Sequence, residues 1–372
     1  MRDLLAYLEN HAGQMLSDLE SLVRLESPSH DKNRINEALD LIEDWFASRG
    51  EVRRHAGESG DLLQIRLAGT AAERVLLLAH IDTVYPAGSW KQIWRTEGEN
   101  ALGPGAFDMK GGIVQASWAL RSLQDLGHGP AATIDLLITP DEEVGSAAGR
   151  PMIEHLARGA QAVLVLEPPF MNGDLKIARK GVGEYTIRIS GRAAHQGVEP
   201  EKGRNAVVSA AHLIRELTRL QDLERGTTLG PNVIHGGTVA NVVPDQATLE
   251  VDVRYWDLAE AERLDSAIRQ IQPLEGTLYD FTGGLNRPPM EPSEGTLRLL
   301  EAAQGIAQRL GFSVGAARVG GGSDGNFTAL LAPTLDGLGA MGAHAHQRDR
   351  EYIHIPSLAP RTALLAGMLS DF

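Results

Sequence analysis

Apolar positions along the chain follow two rhythms. At the start, "MRDLLAYLENHAGQMLSDLESLVRL" repeats leucine, methionine and valine at helical spacing with acids between them, which predicts one amphipathic helix. A second helix is predicted from Asn33 to Ser48. Beyond it the runs "DLLQIRLAG", "VLLLAH", "ATIDLLIT" and "AVLVLE" read as strands, with "KGGIVQASWALRSLQDLG" and "SAAGRPMIEHLARG" as helices between them. Val75 to Leu78 are apolar at every position, as suits a strand covered on both faces. This alternation predicts an α/β layered domain.

Near Lys180 the rhythm changes. "GEYTIRISG", "GGTVANVV", "ATLEVDVRY" and "TLYDFTG" read as strands, and "NAVVSAAHLIRELTRL" and "AEAERLDSAIRQIQ" as amphipathic helices. They predict an inserted α+β unit with helices on one face of an antiparallel sheet. After "NRPPMEP" the first style resumes with the helix "GTLRLLEAAQGIAQRLG", a glycine-rich loop and the terminal helix "IPSLAPRTALLAGMLSDF". The expected division is residues 1–179 and 288–372 for the first domain and 180–287 for the insert.

A chain of 372 residues suits about two domains. Forty-nine acidic against 35 basic residues give a net charge of -14, which argues against nonspecific nucleic-acid binding and offers no polybasic membrane patch. No apolar stretch approaches the ~20 residues of a membrane span, and the first residues lack an uninterrupted apolar core and a small-residue cleavage site. The expectation is a cytoplasmic protein with no nucleic-acid or membrane partner. Cysteine is absent, which excludes disulfides, thiolate sites and cysteine nucleophiles. Any metal must sit on His, Asp and Glu.

Those residue types gather where the strands end. His80 closes "VLLLAH" and Asp82 follows two positions later, so both side chains point the same way and the carboxylate can orient the imidazole. Taken alone, the pair also reads as a core histidine with a satisfied partner. Asp108 sits in the glycine-rich turn "GPGAFDMKGG", where an N-cap is the ordinary role. Glu142 and Glu143 follow "ATIDLLIT", where acids at a helix start are favoured by the macrodipole. Glu167 closes the wholly apolar run Ala162 to Leu166, and His344 and His346 stand in "GAHAHQRDREY". Ligands of open α/β sheets collect at the carboxyl ends of strands. Together these residues match the donors of two zinc ions ~3.5–4 Å apart sharing a carboxylate, with one glutamate left over as a base.

In order, "AHIDTVYP", "GPGAFDMKGG", "PDEEVGS", "LEPP", "GRAAHQG", "VANVVP", "VDVRY", "GGGSDGN" and "GAHAHQRDREY" resemble the di-zinc exopeptidase family of glutamate carboxypeptidase (carboxypeptidase G), aminoacylase, acetylornithine deacetylase and succinyl-diaminopimelate desuccinylase. The resemblance runs from about residue 20 to the C-terminus and is closest to the glutamate carboxypeptidase branch. It implies a zinc-exopeptidase-like α/β catalytic domain with an inserted α+β dimerisation, or lid, domain. His80 and Glu167 would bind one zinc, Glu143 and His346 the other, and Asp108 would bridge them. Glu142 becomes the general base and Asp82 the partner of His80. His195 matches a histidine that reaches the partner subunit's active site in a homodimer. Asn241, Arg254 and Ser323 match substrate-contacting positions, with Arg254 suited to a carboxylate. Lys176, after a one-residue shift, and Arg287 align with basic residues expected to hold a glutamate side chain. A cis peptide is implied between Asp108 and Met109.

Two points depart from the family pattern or need a choice. Ala79 stands where the family usually has glycine. Of the two late histidines, His346 lies five residues before the Glu351–Tyr352 pair, as the family ligand does, with His344 in reserve. The expected function is release of a C-terminal amino acid, glutamate above all, from a small N-acyl or short peptide substrate. An N-acyl-amino-acid deacylase of the same fold is the alternative, and a non-catalytic dimeric scaffold a third reading. Cobalt or manganese suits the same donors as zinc.

Overall fold

The computed structural model describes all residues, Met1–Phe372. It divides into two compact units, the first comprising Met1–Ala178, Pro292–Val319 and Ser323–Phe372, the second Arg179–Glu291 with Gly320–Gly322.

The first unit is built on a six-stranded mixed sheet. At its centre Arg74–His80 runs parallel to both Thr133–Thr139 and Ala162–Val165, while Leu62–Leu67 joins antiparallel to Thr133–Thr139. The continuous apolar runs follow from burial on both faces. Val75, Leu77 and Ala79 pack into the large core with the helices Ala12–Arg24, Gly111–Asp125 and Leu358–Ser370. Leu76 and Leu78 pack on the opposite face with Ile153 and Leu156 of the helix Arg150–Ala157. The predicted N-terminal helix is two, Arg2–Asn10 and Ala12–Arg24, separated at His11, whose backbone leaves the helical region at φ -107° and ψ 7°.

Sequence periodicity did not reveal a small antiparallel sheet of Arg95–Glu97, Asn100–Leu102, Gly342–Ala343 and Tyr352–His354. Its strands are only two or three residues long, too short to display a period. It matters because it carries the segment around Glu351 to the turn that holds Asp108.

The second unit is a four-stranded antiparallel sheet in the order Thr228–Gly236, Gln246–Tyr255, Gly181–Ser190, Leu278–Arg287. Helices Ala206–Leu220 and Leu258–Arg269 close one face, burying Leu213, Leu217, Leu264 and Ile268 against Tyr185, Ile187, Leu249, Val251 and Val253. Thr228–Gly236 went unread as a strand because Gly230 and Pro231 interrupt it. Proline is tolerated there because the strand lies at the sheet edge, where the register also shifts between Pro231 and Val233. "GGTVANVV" is not one strand: Gly236 ends Thr228–Gly236, and Val242–Val243 pair with Ala194–His195.

Candidate metal centre

Parallel pairing aligns three strand ends. His80 is opposite Thr139, and Leu78 is opposite Val165. The loops that follow therefore deliver Glu142, Glu143 and Glu167 to the place where His80 emerges. Asp108 arrives from the turn before the helix Gly111–Asp125, with a cis peptide to Met109. That helix can approach the strand end only because residue 112 is glycine. A Cβ there would lie 2.3 Å from the Leu166 carbonyl oxygen, beside Glu167.

The donor atoms converge. His80 Nε2 is 3.4 Å from Asp108 Oδ1 and 3.5 Å from Glu167 Oε1. The other Asp108 oxygen is 3.4 Å from His346 Nε2, which is also 3.2 Å from Glu143 Oε1. One donor atom each from His80, Glu142 and Glu167 lie within 4.8 Å of one another, as do those of His80, Asp108 and Glu143. His80 Nε2 and Asp108 Oδ1 are buried and make no hydrogen bond. Paired buried atoms of this kind cost free energy unless something answers them, and a divalent cation accepts both. His346 and His344 both take a left-handed backbone, φ 62° and 67°, uncommon for residues with a Cβ, and it is the contacts of the rings that tell them apart. His344 instead packs edge-on to Tyr352, with ring centroids 5.8 Å apart.

The electrostatics agree. Burial alone would lower the His80 pKa, but Asp108, Asp82 and Glu167 outweigh it and hold the ring well above the ordinary imidazole value. Asp108 and Glu143 push His346 up to about 11. Burial would raise Asp108, yet His346 and His80 hold it well below the carboxylate range, whereas for Glu143 burial prevails and raises it. So many carboxylates around two imidazoles demand positive charge, which is what a dication supplies.

Asp82 does more than orient His80. The ring Nδ1 donates to the Asp82 backbone carbonyl at 3.0 Å and lies 3.3 Å from its carboxylate. That carboxylate accepts the Glu142 amide at 3.1 Å, the Glu143 amide at 3.2 Å and the Ser29 hydroxyl at 2.7 Å. One fully buried aspartate thus fixes both the histidine and the turn carrying the glutamate pair.

Glu351, used in the sequence only as a landmark for His346, plays the same part for Asp108. Fully buried, it accepts the amides of Phe107 and Asp108 at 2.9 and 3.1 Å on one oxygen and the Tyr85 hydroxyl at 2.6 Å on the other. Lys110, also buried, donates to the carbonyls of Leu22 and Leu25 and ties the turn to the end of Ala12–Arg24. Ser29, Tyr85, Lys110 and Glu351 carried no sequence signal of their roles, since polar side chains like these ordinarily face water and only the fold buries them.

Lys176 is buried on Leu175–Arg179, its backbone paired with Asp336. The Ser323 hydroxyl is committed to Asp336 at 2.8 Å and is fully buried, so any substrate contact of this loop falls to its backbone. In the second unit His195 and Asn241 are brought together on the short ribbon, where the Gln196 amide donates to the Asn241 carbonyl at 2.9 Å. The Gly197 amide donates to His195 Nδ1 at 3.2 Å, which assigns the neutral ring's proton to Nε2. Arg254 makes a bidentate pair with Asp252 at 2.6 to 3.0 Å, and Arg287 is buried at the end of Leu278–Arg287.

Fold and donor set together define a metal-dependent hydrolase of the metallo-carboxypeptidase and amidohydrolase class. The chain belongs to Peptidase family M20/M25/M40, whose sequence model matches residues 76–371. Carboxypeptidase G2 of Pseudomonas sp. (strain RS-16) is 30% identical to it, over 96% of this chain and 89% of the relative. Succinyl-diaminopimelate desuccinylase of Acidovorax ebreus (strain TPSY) is 30% identical over 83% of this chain and 81% of its own. In fold, the chain is similar to the crystal structure of aminopeptidase PepT from Bacillus cereus ATCC 10987, with a TM-score of 0.79 and 23% identity across 97% of this chain and 98% of that one. No helix is long and apolar enough to cross a membrane.

Proposed function

We propose that the protein is a two-zinc carboxypeptidase that cleaves the amide bond to a C-terminal amino acid, glutamate preferred, in N-acyl or short peptide substrates. The observation that carries this reading is Asp108, whose two oxygens each lie 3.4 Å from a different histidine, as a carboxylate shared by two cations requires. His80 and Glu167 would then hold one zinc, Glu143 and His346 the other. Zinc bound there supplies a Lewis acid that polarises the scissile carbonyl and lowers the pKa of water from roughly 16 to about 7. Glu142 takes the proton of the attacking water and returns it to the departing amine. Asp82 holds Glu142 to that task through its backbone amide.

His195, with its proton on Nε2, donates to the carbonyl oxygen of a substrate held by a partner subunit, and Asn241 beside it contacts the same substrate. A homodimer is supported by the edge strand Thr228–Gly236, whose Val233 and Ile234 are 38% and 47% exposed. An apolar edge of this kind is a template for pairing with a second chain.

Preference for glutamate needs two cations. Arg254 and Arg287 both pair with Val182, one on each side, which puts them in a single row about 10 Å apart along the sheet. Arg254 serves the α-carboxylate. Arg287, with Lys176 as a further candidate, serves the side chain. The Ser323 loop offers backbone N–H groups to the same substrate. The test is Arg287→Ala. It should lower kcat/KM for an N-acyl-glutamate at least ~30-fold more than for the alanine analogue, the lower end of the ~2–5 kcal/mol for losing a buried charge partner. An equal loss on both, or a wild-type enzyme indifferent to glutamate, would leave a general N-acyl-amino-acid deacylase.

A further inference from the structure

The terminal helix Leu358–Ser370 contains one charged residue, Arg361, and buries it to 2% exposure. Burial lowers its pKa to about 10, which leaves it a cation at neutral pH. All its partners are backbone carbonyls, and no carboxylate forms an ion pair with it. Asp174, whose charge acts on it from farther away, is engaged by the Asn172 side-chain amide at 2.8 Å and the Gly315 backbone amide at 2.5 Å. Taking a cation out of water with no counter-charge opposes folding, so an arginine kept this way needs a reason.

Three glycines supply one. The guanidinium donates to the carbonyls of Gly173 at 2.9 Å, Gly337 at 2.6 Å and Gly339 at 3.4 Å. Gly173 and Gly337 have left-handed backbones, with φ 90° and 82°, which glycine adopts without strain. They belong to two different loops. One follows Glu167, and the other joins Thr334–Leu335 to Gly342–Ala343. A planar fork of N–H groups holds carbonyls from both loops at fixed angles, which the single point charge of an ammonium does not.

Gly339 carries this hold to the metal centre. Its amide donates to the Glu167 carbonyl at 2.9 Å, and the Leu338 amide to the Val165 carbonyl at 3.2 Å. A Cβ on residue 339 would lie 2.3 Å from the Leu166 carbonyl oxygen and 2.8 Å from that of Glu167, so the two backbones are in direct contact. A shift of Gly339 is therefore felt at Glu167. We propose that Arg361 is a positioning residue, which through Gly339 fixes Glu167 for the zinc shared with His80. The inference rests on the two-zinc reading above and deepens it.

Arg361 also lines a cleft of about 620 Å³, beside Phe312 and Met341, so a small cation from solution can reach the space left by Arg361→Ala. Full-length Arg361→Ala protein is compared with wild type for the affinity of each zinc, by competition with a chromophoric chelator at a temperature where circular dichroism shows both folded. One ion should bind about 10–100-fold more weakly, the usual cost of losing a group that holds a ligand in place, and the other should stay within about threefold of wild type. Millimolar guanidinium chloride, far below the denaturing range, should restore the weakened ion, and equal sodium chloride should not. Zinc affinities equal to wild type, with only a lower melting temperature for the metal-free chain, would make Arg361 a staple of the fold and overturn the proposal. So would equal weakening of both ions, or a loss that guanidinium leaves in place. If Arg361→Ala does not fold, Arg361→Lys, which keeps the charge and loses the fork, takes its place with the same expectation for zinc, and failure of both to fold would also overturn the proposal. A wild-type chain without two zinc ions would remove the reading above together with this inference. Two ions in wild type and unchanged affinities in the variant would remove the inference alone.

Discussion

In the first unit one group of ionisable side chains converges, whereas in the second the buried ones are dispersed. His80, Asp82, Asp108, Glu143, Glu167 and Glu351 meet around the ends of three parallel strands, linked by distances of 2.7 to 3.5 Å through Ser29, backbone amides and one another. In the second unit Glu260 is satisfied locally by Thr227 and Arg263, and Arg287 stands apart from it at a strand end. Desolvating so much like charge in one place opposes folding, and it persists where a cation or a reaction requires it. The second unit has a conventional apolar core, with His195 and Asn241 exposed on its surface and Arg287 buried at a strand end. A residue exposed on its own unit acts only on something brought to it.

Removing the shared carboxylate should break the contrast most severely. Asp108→Ala leaves His80 and His346 without their common partner, and we expect loss of bound zinc measured by atomic absorption together with at least ~10⁴-fold loss of turnover. The second unit's contribution should be smaller and separable. His195→Ala should cost about 10²–10³-fold, the usual loss on removing one donor to a developing oxyanion, with zinc content unchanged. Mixing it with Glu142→Ala protein under subunit exchange should restore roughly a quarter of wild-type activity, since half the dimers then carry one intact site in a two-fold assembly. No recovery despite exchange would mean that His195 acts within its own chain or not at all.

The smallest effect concerns stability of the second unit alone. Arg263, with Thr227, holds Glu260 down at about 2. A carboxylate with a depressed folded-state pKa contributes stability that is present above its unfolded value and is lost as pH falls through the folded one. Wild type should therefore melt a few degrees above Glu260→Gln at pH 7, about 1 kcal/mol in a domain of this size, and the gap should close between about pH 5 and pH 2. A gap independent of pH would show that packing, not charge, sets the difference.

Legibility in the sequence divides along the same line. His80 and Glu167 stand out because they close runs that both faces of a sheet bury, Val75–Leu78 and Ala162–Leu166, whereas Asp108, Glu143 and His346 are given their roles only by the family resemblance. The residues that hold those ligands could not be read. Glu351 lies among the exposed polar residues of "HQRDREY" and is buried only because a sheet of very short strands folds it onto Asp108. In the second unit the amphipathic helices were plain, but Thr228–Gly236 was hidden by its own glycine and proline. The row joining Arg254 to Arg287 depends on strand register and on an irregularity between Leu285 and Arg287, which no local pattern encodes.

We propose that Glu142 and Glu143, adjacent and both close to His80, divide the work of proton transfer and metal binding. Zinc stoichiometry and turnover of Glu142→Ala, measured on one preparation, test it most directly. Two zinc ions per chain are expected, as in wild type, with turnover reduced by about 10²–10⁴-fold, the share of a general base. Loss of one or both ions with the fold intact would make Glu142 a ligand and contradict the assignment.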